Sequence, residues 1–476
     1  MMHNLTKYIF IALLLLLQNQ LHANAKPKHW TREVGSKTYP ATKHVLKVND
    51  FGAVNNGLIL ATKAIQEAID SCSLMGGGQV VFTPGTYLTG ALYLKNNVDL
   101  HLDEGVELKG IIGLEEYPEI DTRVAGIEMK WPSAIINVLD QENVAISGKG
   151  SVHAQGRYHW ERYWKLREEY TPKGLRWAAD YDCKRVRTIL VSGSKHVTVK
   201  ELTLKQAGFW TVHILYSSNV TIDRLIIQNN IDGHGPSTDG VDIDSSRDIL
   251  VENCDIDCND DNFCLKAGRD ADGLRVNRPT ENIIIRNCIS RRGGGLFTIG
   301  SETSGGIRNV EVHHLDAYGT TCGIRLKSAL TRGGIVENIN VHDIKMENVV
   351  IPVDVTLNWN PSYSYASVNE EVDSIPKHWK VMLQTVDPAQ GIPEFRNVWL
   401  KNINATGAKI AINASGIEDS YLENFNWEDV NISSEKPGKI AYTENWVLKN
   451  VKISSNDNEE IKLSDNLGFK SKDSTY

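Results

Sequence analysis

The segments His196-Val197-Thr198-Val199, Asn219-Val220-Thr221-Ile222, Asp248-Ile249-Leu250-Val251, Asn282-Ile283-Ile284-Ile285, Asn309-Val310-Glu311-Val312 and Asn338-Ile339-Asn340-Val341 share one plan. Each is a polar residue followed by a short run rich in β-branched side chains. Their starts are separated by 23, 29, 34, 27 and 29 residues. Related runs precede them at Asn97 and Asn143 and follow at Asn397. Gly, Asn and Asp break the chain between runs, and helical periodicity is almost absent. A strand of this length cannot bury a face alone, so its copies must stack. A propeller blade needs about 40 residues, and the shorter period here predicts a parallel β-helix instead. The expected class is therefore all-β: a single-domain, right-handed coil whose turns pair about 4.8 Å apart.

Working outward, Thr62–Cys72 is the one clear amphipathic helix. Its apolar residues lie at 65, 68, 69 and 72, with Thr62 in N-cap position. It is expected to cap the N-terminal end of the coil. Two insertions interrupt the rhythm: residues 157–187, carrying Tyr158, Trp160, Tyr163, Trp164, Tyr170 and Trp177, and the 59-residue interval between Asn338 and Asn397, carrying Trp359, Tyr363 and Tyr365. Loops this long are usually functional; packing of the aromatics over the coil's flank is the alternative.

At the N-terminus, Lys7 precedes the apolar run Tyr8–Leu17, and Ala23-Asn24-Ala25 follows. This is the pattern of a signal peptide, residues 1–25, ahead of a β-helix catalytic domain, residues 26–476. Export to periplasm or medium is expected, with no membrane span. The formal charge is −8 for the whole chain and −9 without residues 1–25, which contain one Lys and no acid. That disfavours nucleic acid as a partner, so attraction for an anionic substrate must be local. Residues 239–261 hold nine acids and one Arg, whereas 266–327 hold ten Lys or Arg against six acids. Seven cysteines make no disulfide scaffold, and no CxxC pair points to zinc. Cys254 and Cys288 fall at equivalent places, so stacked thiols and a bridge remain equally open.

Four short motifs carry the chemistry. They are Ser237-Thr238-Asp239-Gly240, Asn259-Asp260-Asp261, Gly300-Ser301 and Arg325-Leu326-Lys327. In this order and at these separations they resemble the polygalacturonase-type glycoside hydrolases, family 28. Looser resemblance extends from residue 45 to about 455. Asp239 and Asp260 are 21 residues apart, close to one turn, so their carboxyls can share adjacent rungs. Glycoside hydrolysis needs one protonated and one ionised carboxyl. Crowding should raise one of the acids enough to supply the proton.

The resemblance implies an inverting hydrolysis of pectic galacturonate linkages. Asp260 would be the general acid, Asp239 and Asp261 would hold and deprotonate the attacking water, and Arg325 and Lys327 would bind the uronate carboxylate. Strict strand alternation disturbs this, because Phe263 and Leu265 look inward and would take Asp261 with them. A bend or bulge at the start of the strand would remove the conflict. A second departure is Gly295, which stands where the family has a histidine; the first motif also has Ser237 in place of Asn. These changes fit rhamnogalacturonan-directed and exo-acting relatives. Glu302 and His234 are candidates to fill the gap, against structural roles in turns. Lys266 and Arg269 are further candidates for binding substrate, and Arg269 is equally suited to pairing with Asp270 or Asp272.

The expected protein is a monomer acting on pectic oligo- or polysaccharide from chain ends, with no cofactor and no metal. A calcium-dependent pectate-lyase-like enzyme would use the acids near 255–261 as ligands. A carbohydrate-binding β-helix without catalysis is the third reading.

Overall fold

The computed structural model describes residues 29–368 and 374–476. The signal peptide expected over residues 1–25 lies outside them. Val34–Tyr476 forms one compact unit, and the described residues before it contain a single 3-10 turn, His29–Arg32.

Among the described residues, thirty-one strands pair into one continuous parallel system, and one antiparallel ladder joins Glu119–Val124 to Ile127–Pro132. Through the middle of the chain each strand pairs with the third one after it, so one turn contributes to three sheets: a right-handed parallel β-helix. The repeats stack in register. Val197 lies beside Val220, then Ile249, Ile283, Val310, Ile339, Val398 and Phe425. These side chains form a buried column through the core. Truncating one isoleucine of such a column to alanine costs about 2–5 kcal/mol. Because Ile339 pairs directly with Val398, the 59-residue interval is one turn carrying an insertion.

The polar residue opening each repeat has a backbone reason. His196, Asn219, Asp248, Asn282, Asn309, Asn338 and Asn397 all sit at positive φ, between 54° and 59°. Asn and Asp tolerate this region best among residues with a side chain. Their side chains also bond from rung to rung: the Asn282 amide donates to Asp248 at 2.9 Å, and that of Asn309 to Asn282 at 3.1 Å.

The cap helix spans Thr62–Leu74 and buries Ile65, Ala68, Ile69 and Cys72, the four positions expected. Its N-cap is Ala61 rather than Thr62. The Thr62 hydroxyl accepts the backbone N–H of Gly90 at 2.8 Å instead. The first insertion is helical, with a helix over Arg157–Tyr170 and another over Ala179–Asp182. Trp177 and Tyr181 from this insertion form a second apolar core with Phe209, Trp210, Trp131 of the antiparallel hairpin and Trp379. All seven cysteines are buried free thiols, and Cys254 and Cys288 stack, with the N–H of Cys254 donating to Cys288 Sγ at 3.4 Å.

Candidate active site

Six strands of one sheet position the chemistry: β1 (Val212–Leu215), β2 (Val241–Asp244), β3 (Asp261–Lys266), β4 (Gly295–Ile299), β5 (Cys322–Lys327) and β6 (Ile351–Thr356). Their register sets His213, Asp242, Cys264, Thr298, Arg325 and Asp354 in one row. Asp244 and Lys266 pair two residues further along. Residues two apart share a face, so both rows point the same way.

The alternation that would bury Asp261 in the core is broken beside it. Asn262 and Phe263 both turn inward, and the Asn262 amide donates to the carbonyls of Arg292 at 2.8 Å and Gly295 at 2.9 Å. Leu296 and Phe297 repeat the double inward step on β4. One extra inward residue shifts the phase, and Asp261 reaches the outer face. There its carboxylate accepts Lys327 Nζ at 2.8 Å and Thr298 Oγ1 at 2.8 Å, with Arg325 Nη1 at 3.7 Å.

Asp239, Asp260, Asp261, Lys266, Glu302 and Lys327 line one cavity of about 500 Å³ including its open mouth. An oxygen of Asp239 and one of Asp261 lie within 4.8 Å of each other. Lys266 Nζ sits 3.5 Å from Asp239, 3.4 Å from Asp242 and 3.7 Å from Glu302, above the Trp210 ring. Trp359 of the second insertion lies under both Lys327 and Arg325. The two insertions therefore contribute both packing and lining: Trp160 and Trp177 are buried, whereas Trp359 and Tyr363 face the cavity.

Neighbouring charge separates the acids. Burial pushes the Asp261 carboxyl up, but Lys327, Arg325 and Lys266 outweigh it and hold Asp261 far below the ordinary range. Asp260 is raised by burial and by Asp261 beside it. Asp239 is raised well above normal by burial, Asp242 and Asp260. Asp242, fully buried, is pushed up to about 7 by desolvation, with Lys266 opposing.

Two of the sequence candidates are not at the cavity. Arg269 is completely buried and committed elsewhere: Nε donates to Asp270, Nη1 to the Tyr181 hydroxyl, and Nη2 to the carbonyls of Tyr363 and Ser364. It ties the second insertion down and is not open to substrate. His234 stands outside the lining, its ring tilted against Trp164 at 5.9 Å and paired with Glu161 at 3.2 Å. Arg325 stands just behind the lining, between Asp261 and Asp354. Sequence reading missed Asp242, Trp210, Arg176 and Asp180. Asp242 follows Asp239 by three residues on the strand that the Thr-Asp-Gly turn leads into, a signal within reach.

The cluster of Asp239, Asp261 and Cys264 suits a metal ion poorly. Burial pushes the Cys264 thiol well up, which keeps it protonated, and Lys266 and Lys327 already approach the carboxylate oxygens. Of the acids near 255–261 that a calcium reading would draw on, Asp255 and Asp257 are paired with Arg291 and Arg292.

Residues 84–375 match the family model for glycosyl hydrolases family 28, and the chain belongs to that family. A probable polygalacturonase of Vitis vinifera is 29% identical over 320 residues, 64% of this chain and 61% of that relative. The chain thus spans about three fifths of that protein's length. An exo-poly-alpha-D-galacturonosidase of Dickeya chrysanthemi is 25% identical over 85% of this chain and 70% of its own. Among solved structures, a hyperthermoactive exopolygalacturonase from Thermotoga maritima superposes with a TM-score of 0.72 at 28% identity, covering 85% of this chain and 91% of that one.

Proposed function

We propose that the protein is an exported, exo-acting galacturonidase that hydrolyses α-linked galacturonate from the ends of pectic chains with inversion. One observation carries the reading: adjacent carboxyls in one cavity, Asp260 and Asp261, are driven to opposite proton affinities. Asp260 protonates the glycosidic oxygen while water attacks the anomeric carbon and Asp261 accepts the water's proton. The C–O bond breaks, Asp260 is left ionised and Asp261 protonated, and exchange with solvent restores both. Asp239, close to Asp261, orients the water. Lys327 and Arg325, beside Asp261, add positive charge that favours an anionic substrate, and Trp359 offers a face for the sugar ring.

Exo action is supported by the names of the relatives and by the walls of the cavity. Ala125 at the hairpin turn and Phe209, Trp210 and Tyr363 beside the insertions line it. The motif changes at Ser237 and Gly295 favour oligosaccharides derived from rhamnogalacturonan. Mature protein incubated with homogalacturonan and with rhamnogalacturonan fragments should release galacturonate from the first minutes, initially as the inverted anomer by proton NMR. An early fall in viscosity with a ladder of oligomers would refute exo action, and an unsaturated product would replace hydrolysis by elimination.

A further inference from the structure

The cations read from the sequence are already engaged by the site's own acids. Lys327 bonds Asp261, Arg325 lies between Asp261 and Asp354, and Lys266 lies among Asp239, Asp242 and Glu302. Opposite charge is in excess at another part of the lining. There Asp180 is shared by two guanidinium groups, Arg176 Nη1 at 3.1 Å and Arg185 Nη2 at 2.9 Å. Ser237 Oγ also donates to Asp180 at 2.9 Å. Asp180 stays ionised because the two arginines outweigh its burial. One carboxylate against two guanidiniums leaves one positive charge uncompensated within the group.

That charge is directed to the cavity by burial. Arg185 is fully buried, and its Nη1 donates to the Pro236 carbonyl. Arg176 keeps 15% of its side chain exposed and lines the catalytic cavity, its guanidinium over the Tyr363 ring at 5.2 Å. Arg176 also lines a neighbouring cavity, where Arg167 joins it and no carboxylate contributes. Among the described residues Asp180 is its one ion-pair partner, and only Nη1 is used.

We infer that Arg176 is a specificity-determining residue that receives the carboxylate of the terminal galacturonate through its remaining N–H groups. The inference rests on the galacturonidase reading above. It gives the insertion at 157–187 a role in recognition, and it explains why that insertion is pinned by Arg185 beneath the cavity. An arginine fork pairs with a carboxylate more specifically than a lysine does.

The test uses digalacturonate and the same disaccharide methyl-esterified at the non-reducing-end carboxyl. Wild-type protein should prefer the free acid. Arg176→Gln should raise KM for the free acid at least ~10-fold, with a smaller change in kcat, and should erase the preference over the ester. Arg176→Lys, which keeps the charge without the fork, should fall between. Arg185 remains to hold Asp180, so both variants should melt near wild type; if the Gln variant does not fold, the Lys variant carries the same comparison. Unchanged KM, or undiminished discrimination against the ester, overturns the assignment. Release of no galacturonate by wild type would instead sink the functional reading, and this inference with it.

Discussion

Lys327 Nζ reaches back past strand β4 to donate to Asp261 Oδ2 at 2.8 Å. The residue beside Asp261 on β4 is Gly295, which puts no side chain between them. This contact, with Arg325 and Lys266 further off, sets the protonation of the candidate base. Lys327→Met should let the Asp261 carboxyl rise, so that it takes a proton at higher pH. The acidic limb of the kcat/KM profile should then move up by at least about one pH unit. Lys327→Arg should restore most of the limb's position. A profile of unchanged shape in Lys327→Met would remove Asp261 from the role of base.

Asp260→Asn keeps the shape of the acid and its hydrogen-bonding capacity but cannot deliver a proton. Turnover should fall by about 10²- to 10⁴-fold, the usual contribution of general acid catalysis. Thermal melting should stay near wild type, because Asp260 makes no ion pair within 4.0 Å among the described residues and its one side-chain bond is to the neighbouring N–H of Asp261 at 3.0 Å. Retention of more than a tenth of the activity would assign the proton to another group.

Much of this was legible in the sequence, for identifiable reasons. A solenoid repeats its local constraint at every turn, so the positive-φ corners wrote Asn or Asp at the head of each β-branched run, and the period followed. The motif carboxylates were legible because adjacent rungs turn sequence separation into proximity. Three things were not. The outward turn of Asp261 depends on Asn262 finding carbonyl acceptors on the next rung, a long-range fact. The commitment of Arg269 depends on where the second insertion lies, since its acceptors are at 181, 363 and 364. Asp242 reads locally as an ordinary strand-edge acid, and only the fold shows it buried beside Lys266.

Asp242 should limit stability at high pH. Its carboxyl is raised in the folded state, to about 7, by burial. A raised carboxyl favours folding while protonated, and that contribution is lost as pH climbs from about 4, the unfolded value, through about 7. Asp242→Asn removes the ionisation. The variant's melting temperature should exceed wild type at pH 8, and the gap should close as pH approaches 4. A gap independent of pH would mean that Asp242 is not neutral in the fold at low pH.

Gly295, where the resemblance would place a histidine, tests how tightly the floor is built. Its φ is not in the left-handed region, so space rather than backbone strain selects glycine here. A Cβ at this position would lie 2.3 Å from Thr298 Oγ1 and 2.9 Å from Asp261 Oδ1. Thr298 can yield by rotating about χ1, but rotation gives up its 2.8 Å bond to Asp261. Gly295→Ala should therefore displace the base or strip it of one donor, and a misplacement approaching 1 Å costs about 100-fold in rate. Thr298→Ala alone loses the donor without the clash and should cost less, on the order of 10-fold. The double substitution removes the obstructing hydroxyl but leaves the Cβ 2.9 Å from Asp261 Oδ1, so it should be more active than Gly295→Ala alone and less active than Thr298→Ala. Such non-additivity is the signature of two residues sharing one contact. If the losses simply add, the hydroxyl does not fill the space left by the missing side chain, and some other feature of β4 requires the glycine.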